Sequence, residues 1–362
     1  MSALSSLSLL DRNLLHSLSR APLSEKIKVA QAIWTSPSTA LPTDEAATAT
    51  AFFVLLRSET LMVQHYQQFF APCTIDAVKE TIGVLRTSSA QPLHEVVSKL
   101  RNSFINVDDA SIQRTLELCV RLWLTVNVNT RLVSVGGMFP RERTLDWANE
   151  MSITTVLDQA FRPSCAPRRR VKLDGRFNAE YLVNNCDLEL EWTNYLTDHL
   201  RLDATRRVLL VYRHKVYLND SLMKQADGPI PLAVLGEALD SLNLLFPFGD
   251  GSTKQLLARY DEKALYTLGA CGRERPLDLS QFTYWRDQLE ALLEIYDSPP
   301  RTWKQLAVDR RNKLEWSAFW VTVMVAFLTL VSVPCSIIQA VYSVKAYNIA
   351  LTQSAVIGRN EL

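Results

Sequence analysis

The stretch WSAFWVTVMVAFLTLVSVPCSIIQAVYSV, Trp316–Val344, contains no Asp, Glu, Lys or Arg. A bilayer core about 30 Å thick is crossed by about 20 apolar helical residues. Phe319 to Ile338 is such a run, and uncharged flanks extend it at both ends. Trp316, Trp320 and Tyr342 lie near its limits, where amphipathic rings favour the headgroup level. Pro334 would kink a helix in water but is tolerated in a membrane. Two passes would need about 40 residues, so a hairpin is excluded. The reading is one transmembrane helix, 316–344, with the lipid bilayer as a partner.

Charge on either side gives an orientation. Arg301, Lys304, Arg310, Arg311 and Lys313 precede the run, whereas Lys345 and Arg359 follow it. The excess of basic residues marks the cytosolic side. Residues 1–315 are therefore expected in the cytosol and 345–362 as a luminal tail, a tail-anchored arrangement. The tail ends Arg359, Asn360, Glu361, Leu362. That is close to the K-D-E-L and H-D-E-L retrieval signals, with Asn360 where those carry Asp, which favours the endoplasmic reticulum. Within the span, Ser332, Ser336 and Ala340 recur every four residues and put small side chains on one face. This is an expected helix–helix contact and a route to homo-oligomers. Before it, 299–315 reads as a basic helix lying on an anionic leaflet, with Trp303, Leu306, Ala307 and Leu314 on one side.

The rest of the chain reads as globular. It has 362 residues, of which 48% are hydrophobic and 21% charged, with a formal net charge of +1. No global field draws it to nucleic acid, and none is expected as a partner. Cys73, Cys119, Cys165, Cys186, Cys271 and Cys335 are widely dispersed, so neither a zinc ribbon nor a CxxC pair exists. Reduced thiols in a cytosol-facing protein are expected. The first twenty residues, an N-terminal segment, lack the basic start of a secretory signal, and Asp11 interrupts their apolar part.

Periodicity predicts a helical bundle over 21–130. Its members are SEKIKVAQAIWTS with Ser24 as cap, a very apolar helix around TATAFFVLLRSETLMVQHYQQFF that is buried all round, HEVVSKLRNSF, and DDASIQRTLELCVRLWLTVNV with a stripe of Ile112, Leu116, Cys119, Val120 and Trp123. Residues 131–174 read as an irregular connection. The α+β region covers 175–298. CDLELEW alternates like a half-buried strand, and RRVLLVYRH reads as a central strand. NYLTDHLRL forms a helical turn between them. Helices follow in PLAVLGEALDSLNLLFPF, STKQLLARY and FTYWRDQLEALLEIYD. The fold class expected is mainly α with a small mixed β-sheet, followed by the single transmembrane helix.

Three blocks carry a likeness to known sequences: Leu188–Leu218, Ala238–Phe248, and the run FTYWRDQLEALLEIYDSPPRTWKQLAVDRRN from Phe282 into the span. Val120–Val128 adds a fainter one. On these the chain resembles a group of uncharacterised fungal proteins with a C-terminal membrane helix. It has KQLA at Lys304–Ala307 where the group carries QWW. The resemblance implies the same topology and brings no activity, ligand or catalytic residue.

No GxGxxG, GxxxxGK, HExxH or GxSxG is present, and the five histidines have no ligand spacing. No cofactor or metal is expected. The best polar pair is Asp198–His199, a carboxylate beside a candidate base, with Trp192 and Arg201 near it; yet neighbours on a helical turn point apart, and no nucleophile stands by. The leading expectation is a non-enzymatic interaction or scaffolding protein with a protein partner. An accessory factor or enzyme acting on a lipophilic metabolite at the membrane is the alternative. It requires Asp198, His199 and Arg201 to converge in a deep pocket.

Overall fold

A computed structural model describes residues 7–9, 21–34, 45–71, 74–104, 106–130, 142–165, 170–223, 228–298 and 313–357. Met1–Asp297 form one compact unit and Ser298–Leu362 a second. The architecture is mainly helical, with two small sheets and a long apolar C-terminal helix.

The first unit is built around a helix that solvent barely touches. Helices α1 (Leu23–Trp34), α2 (Glu45–His65), α3 (Ile75–Thr87) and α4 (Leu93–Leu100) all pack on α5 (Asp109–Leu124). Asp108 starts α5 by accepting the Ser111 N–H at 3.2 Å. Thr125 ends it in the left-handed conformation, φ 52°. From Ser111 to Leu124 every residue but Arg114 is buried. The stripe read from the sequence is thus only part of the buried surface, because neighbours cover α5 on several sides. Trp34 Nε1 donates to the Leu122 carbonyl at 2.7 Å, pinning α1 to α5. Each fully buried Leu or Phe of this core contributes about 1.5–3 kcal/mol.

Three readings of the bundle need correction. Helix α2 is not buried all round: Val54 and Leu61 are 38% and 53% exposed on its outer face. Helix α1 starts at Leu23 with the Pro22 carbonyl accepting from Glu25 and Lys26, so Ser24 lies inside it rather than capping it. Helix α3, capped by Thr74 on Ala77 N–H, is an additional element that the sequence reading lacks.

After α5 the chain forms β1 (Val128–Asn129) and β2 (Leu145–Asp146), a short parallel pair, then α6 (Ile153–Ala160) and α7 (Ala179–Cys186). The larger sheet has β3 (Glu189–Thr193), β4 (Leu202–Asp203) and β5 (Val208–Tyr212) in the order β3-β5-β4. Strands β3 and β5 are parallel, Glu189 opposite Val208, and β4 is antiparallel to β5. This is the small mixed sheet expected for 175–220, with the nearly continuously buried β5 at its centre. A helical turn at Leu196–Asp198 joins β3 to β4.

Helices α8 (Lys215–Met223), α9 (Leu232–Leu245), α10 (Gly251–Arg259), α11 (Ala264–Thr267) and α12 (Arg286–Asp297) complete the unit. The amphipathic pattern from Phe282 suggests an earlier start for α12. The helix begins only at Arg286 because Glu237 of α9 reaches across and takes the N–H groups in front of it. Its Oε2 accepts from Thr283 at 2.8 Å, Tyr284 at 2.6 Å and Trp285 at 3.4 Å. A carboxylate there takes the N–H groups of the segment leading into the helix and complements the positive end of the dipole. Helix α8 escaped the sequence reading because Lys215, Asp220 and Ser221 are among its buried residues. Lys215 Nζ is held by Asn243 Oδ1 at 2.9 Å and the Gly269 carbonyl at 2.7 Å.

The second unit is α13, Lys313–Ile357, 45 residues long with Pro334 inside it. The helix therefore runs through Lys345 and most of the expected tail. Residues 299–312, where the basic juxtamembrane helix is expected, and Arg359–Leu362 lie outside the described residues.

Replacing Glu237 with Ala is expected to destabilise the fold by about 1 kcal/mol, the usual worth of a cap. Thermal denaturation of the detergent-purified full chain should show Tm lower by a few degrees, with Glu237→Gln falling between the two.

Candidate functional site

Asp198 and His199 sit where β3 turns back towards β4. Leu196 N–H bonds to the Thr125 carbonyl, and Leu200 adopts φ 57°, so the turn is tied to the end of α5 and reverses sharply. Asp198 is 0% and His199 1% exposed. The two side chains do not meet. Both Asp198 oxygens accept the Arg143 N–H at 3.1 Å, and Oδ1 accepts Arg201 Nη1 at 2.5 Å. Burial raises the Asp198 pKa, and these donors oppose the rise.

His199 points the other way, into the core. Tyr212 N–H donates to Nδ1 at 3.2 Å, so the proton sits on Nε2, which donates to Ser241 Oγ at 2.7 Å. Ser241 passes its own hydrogen to the Ala238 carbonyl. The ring meets Trp285 edge-on at 4.9 Å. Burial pushes the His199 pKa down to about 3, so the imidazole is neutral. It joins β5 to α9 and makes no dyad with Asp198. Asp198 and Arg201 meet, and His199 does not join them.

Arg201 lines a half-open cleft of about 420 Å³ with Glu191, Asp203 and Arg206, floored by Leu202, Val208 and Leu210. Two cations face two anions there, so the cleft selects no charge sign. Asp203 is already committed to the Thr205 and Arg206 N–H groups at 3.0 Å. A second cleft of about 400 Å³ lies between α2 and α11 and is lined by Val54, Arg213, His214, Glu262 and Lys263. Arg213 pairs with Glu262 at 2.5 Å, and His214 Nε2 bonds to Asn194 Oδ1 at 3.0 Å. Burial and the neighbouring Arg213 hold the His214 pKa at about 3. Among the described residues no group of three or more His, Cys, Asp or Glu can hold a metal ion. Cys119, Cys165, Cys186, Cys271 and Cys335 are free thiols.

The most charged part of the interior was not legible from the sequence. Glu59 of α2 and Arg121 of α5 are each 1% exposed, and their side chains meet at 2.8 Å. Tyr195 donates its hydroxyl to the other Glu59 oxygen at 2.5 Å. Glu117, one turn before Arg121, takes the Thr130 N–H and hydroxyl at 2.7 Å. Burial alone would lower the Arg121 pKa; Glu59, Tyr195 and Glu117 outweigh it and keep the guanidinium charged. Glu142 adds a carboxyl with a buried, unbonded Oε2, and Arg121 Nη2 is likewise unbonded. Burial, Glu59 and Asp198 raise the Glu142 pKa to about 8, against the pull of Arg121 and Arg201. The only signal in the sequence is that Glu59, Glu117 and Arg121 interrupt otherwise apolar helices.

On α13, Ser332 and Ser336 are exposed on one face, and Ala340 follows four residues later. Ser332 donates to the Thr329 carbonyl and Ser336 to the Ser332 carbonyl. The stretch Trp316–Ala350 has mean hydropathy 2.3 with none of its most apolar window buried, so by length and composition it can cross a membrane. It is the largest apolar surface that the described residues expose, far beyond what one soluble monomer leaves uncovered.

Comparison with protein-family models, with curated proteins and with solved structures returned no match.

The titrations above give a stability profile with two limbs. His199 and His214 are neutral in the fold at pH values where the unfolded chain, with pKa 6.5, is protonated. Stability is therefore lost as pH falls below about 6.5. Glu142 keeps a proton in the fold that the unfolded chain, with pKa 4.5, has released, so stability falls as pH rises towards about 8. Denaturation between pH 6.5 and 8.5 should show this alkaline limb in the parent and a flatter one in Glu142→Gln. Removing one partner of the buried pair, Arg121→Ala, should cost about 3–5 kcal/mol by the same measurement.

Proposed function

We propose that the protein is a single-pass, membrane-anchored interaction protein, with residues 1–297 a cytosolic domain and α13 the anchor. The carrying observation is the uncharged run between Glu315 and Lys345. Trp316–Val344 measures about 43 Å as helix. That matches the bilayer with its headgroups, about 40–45 Å, so the two charged residues fall at its opposite faces.

The polar side chains of the run support the same reading. The hydroxyls of Ser317, Thr322, Thr329, Ser332, Ser336 and Ser343 all donate to carbonyls three or four residues back. A hydroxyl bonded within its own helix leaves no donor to be stranded in lipid. Orientation follows from Arg301, Lys304, Arg310, Arg311 and Lys313, which outnumber the basic residues after the run. The resemblance to fungal proteins with a C-terminal membrane helix implies the same arrangement.

The choice of interaction over catalysis rests on the committed state of the polar groups. Asp198 and His199 are engaged by internal partners, and the two clefts described above carry balanced charge. The protein partner would meet the domain's outer surface rather than a pocket.

The full chain should stay in the membrane pellet after alkaline carbonate washing, and a chain lacking 316–357 should not. A glycosylation acceptor placed after Ile357 should be modified, and one placed between Arg162 and Lys172 should not. Modification of the second acceptor alone would reverse the orientation, and release of the full chain by carbonate would remove the anchor.

A further inference from the structure

Within 318–344 the Ser, Thr and Gln residues are Thr322, Thr329, Ser332, Ser336, Gln339 and Ser343. From Thr329 their spacing alternates three and four, and Thr322 stands one heptad earlier. Every one falls on the a and d positions of a single seven-residue repeat. On a straight helix they occupy an arc of about 100°. Off this arc the polar exceptions are the Tyr342 hydroxyl, near the end of the run, and Ser317 just before this length; the other residues are apolar. A helix that met only lipid would have no reason to gather its polar groups at this period, which is the period at which helices wind round one another.

The six differ in one respect. The five hydroxyls are satisfied inside α13, as described above. The Gln339 carboxamide has no side-chain hydrogen bond among the described residues, and lipid offers it none. It carries both donors and an acceptor, so an identical amide across a two-fold axis completes it in both directions. The small hydroxyl residues on either side let two backbones come close. Lys345 lies off the stripe; Glu315 stands on the a position one heptad before Thr322, at the headgroup level rather than in the apolar core of the contact.

We propose that α13 pairs with α13 of a second copy of this chain along this stripe, with the two Gln339 amides hydrogen-bonded to each other. The inference rests on the membrane reading given above. It moves the contact from the four-residue series Ser332, Ser336, Ala340 to a heptad face that keeps the two serines and centres on Gln339. Ala340 falls at its edge. The repeat gives a left-handed crossing, where a four-residue small-residue series gives a right-handed one.

The test is energy transfer between two fluorescently tagged full-length copies co-reconstituted in phosphatidylcholine vesicles and diluted stepwise with lipid. The parent should associate in a dilution-dependent way. Gln339→Leu, which keeps the helix apolar and able to span, should weaken association about three- to twentyfold. Gln339→Asn should restore part of the loss. Val331→Leu, on the opposite side, should have no effect, and Ala340→Leu should have less effect than Gln339→Leu. Absence of transfer in the parent, or equal transfer in the parent and Gln339→Leu, overturns the pairing. A greater loss from Ala340→Leu than from Gln339→Leu overturns the heptad face in favour of the four-residue one. Vesicle flotation of each variant separates these results from failure of the anchor itself: a parent that does not float refutes the membrane reading, and a parent that floats without transfer refutes only the pairing.

Discussion

Glu59 and Arg121 are an acid and a base, both nearly sealed from solvent and 2.8 Å apart. Neither could be buried alone, because an isolated ion in the interior costs several kcal/mol. Together they fix how α2 lies on α5. Through Tyr195 the same carboxylate reaches the turn after β3 and so couples the helical bundle to the sheet. Breaking it would leave a buried charge at the junction of three elements. Such a pair adds little net stability over an apolar substitute, but it penalises every arrangement in which its members separate.

A second polar layer stands behind the first. Asp198 holds Arg143 and Arg201, His199 holds Ser241 and Tyr212, and Lys215 holds the turn at Gly269. These groups act within the domain as cross-links. That leaves the domain with a well-determined interior and an outer surface of shallow, charge-balanced clefts. The helix α13 obeys a different solvent rule. There the hydroxyls turn inward to their own backbone and the apolar side chains turn outward, the inverse of a helix built for water.

Local patterns were legible in the sequence. The uncharged run, the alternation of CDLELEW, and the leucine period in α9 each report on residues near one another, and the helix, the mixed sheet and α9 stand as read. Partnerships between distant positions were not. Glu59 meets Arg121 across 62 positions and Tyr195 across 136, and nothing in either helix names the other. The start of α12 shows the same limit, since the group that sets it is Glu237 on another helix. Asp198 and His199 were found as a polar pair because they are adjacent; their real partners, Arg143 and Ser241, lie far away in sequence. Helix α8 was missed because its buried face is partly polar, and apolar periodicity cannot report a lysine held by carbonyls.

The proposed anchor requires α13 to cross a bilayer with Glu315 and Lys345 at its two faces. Spin labels at positions 315, 330 and 345 of the full chain in lipid vesicles, probed with oxygen and a water-soluble nickel chelate, read this directly. In a spanning helix the label at Leu330 meets oxygen and not nickel, while those at Glu315 and Lys345 meet nickel. A Leu330 label as open to nickel as the other two, or a Lys345 label as shielded as Leu330, would contradict it.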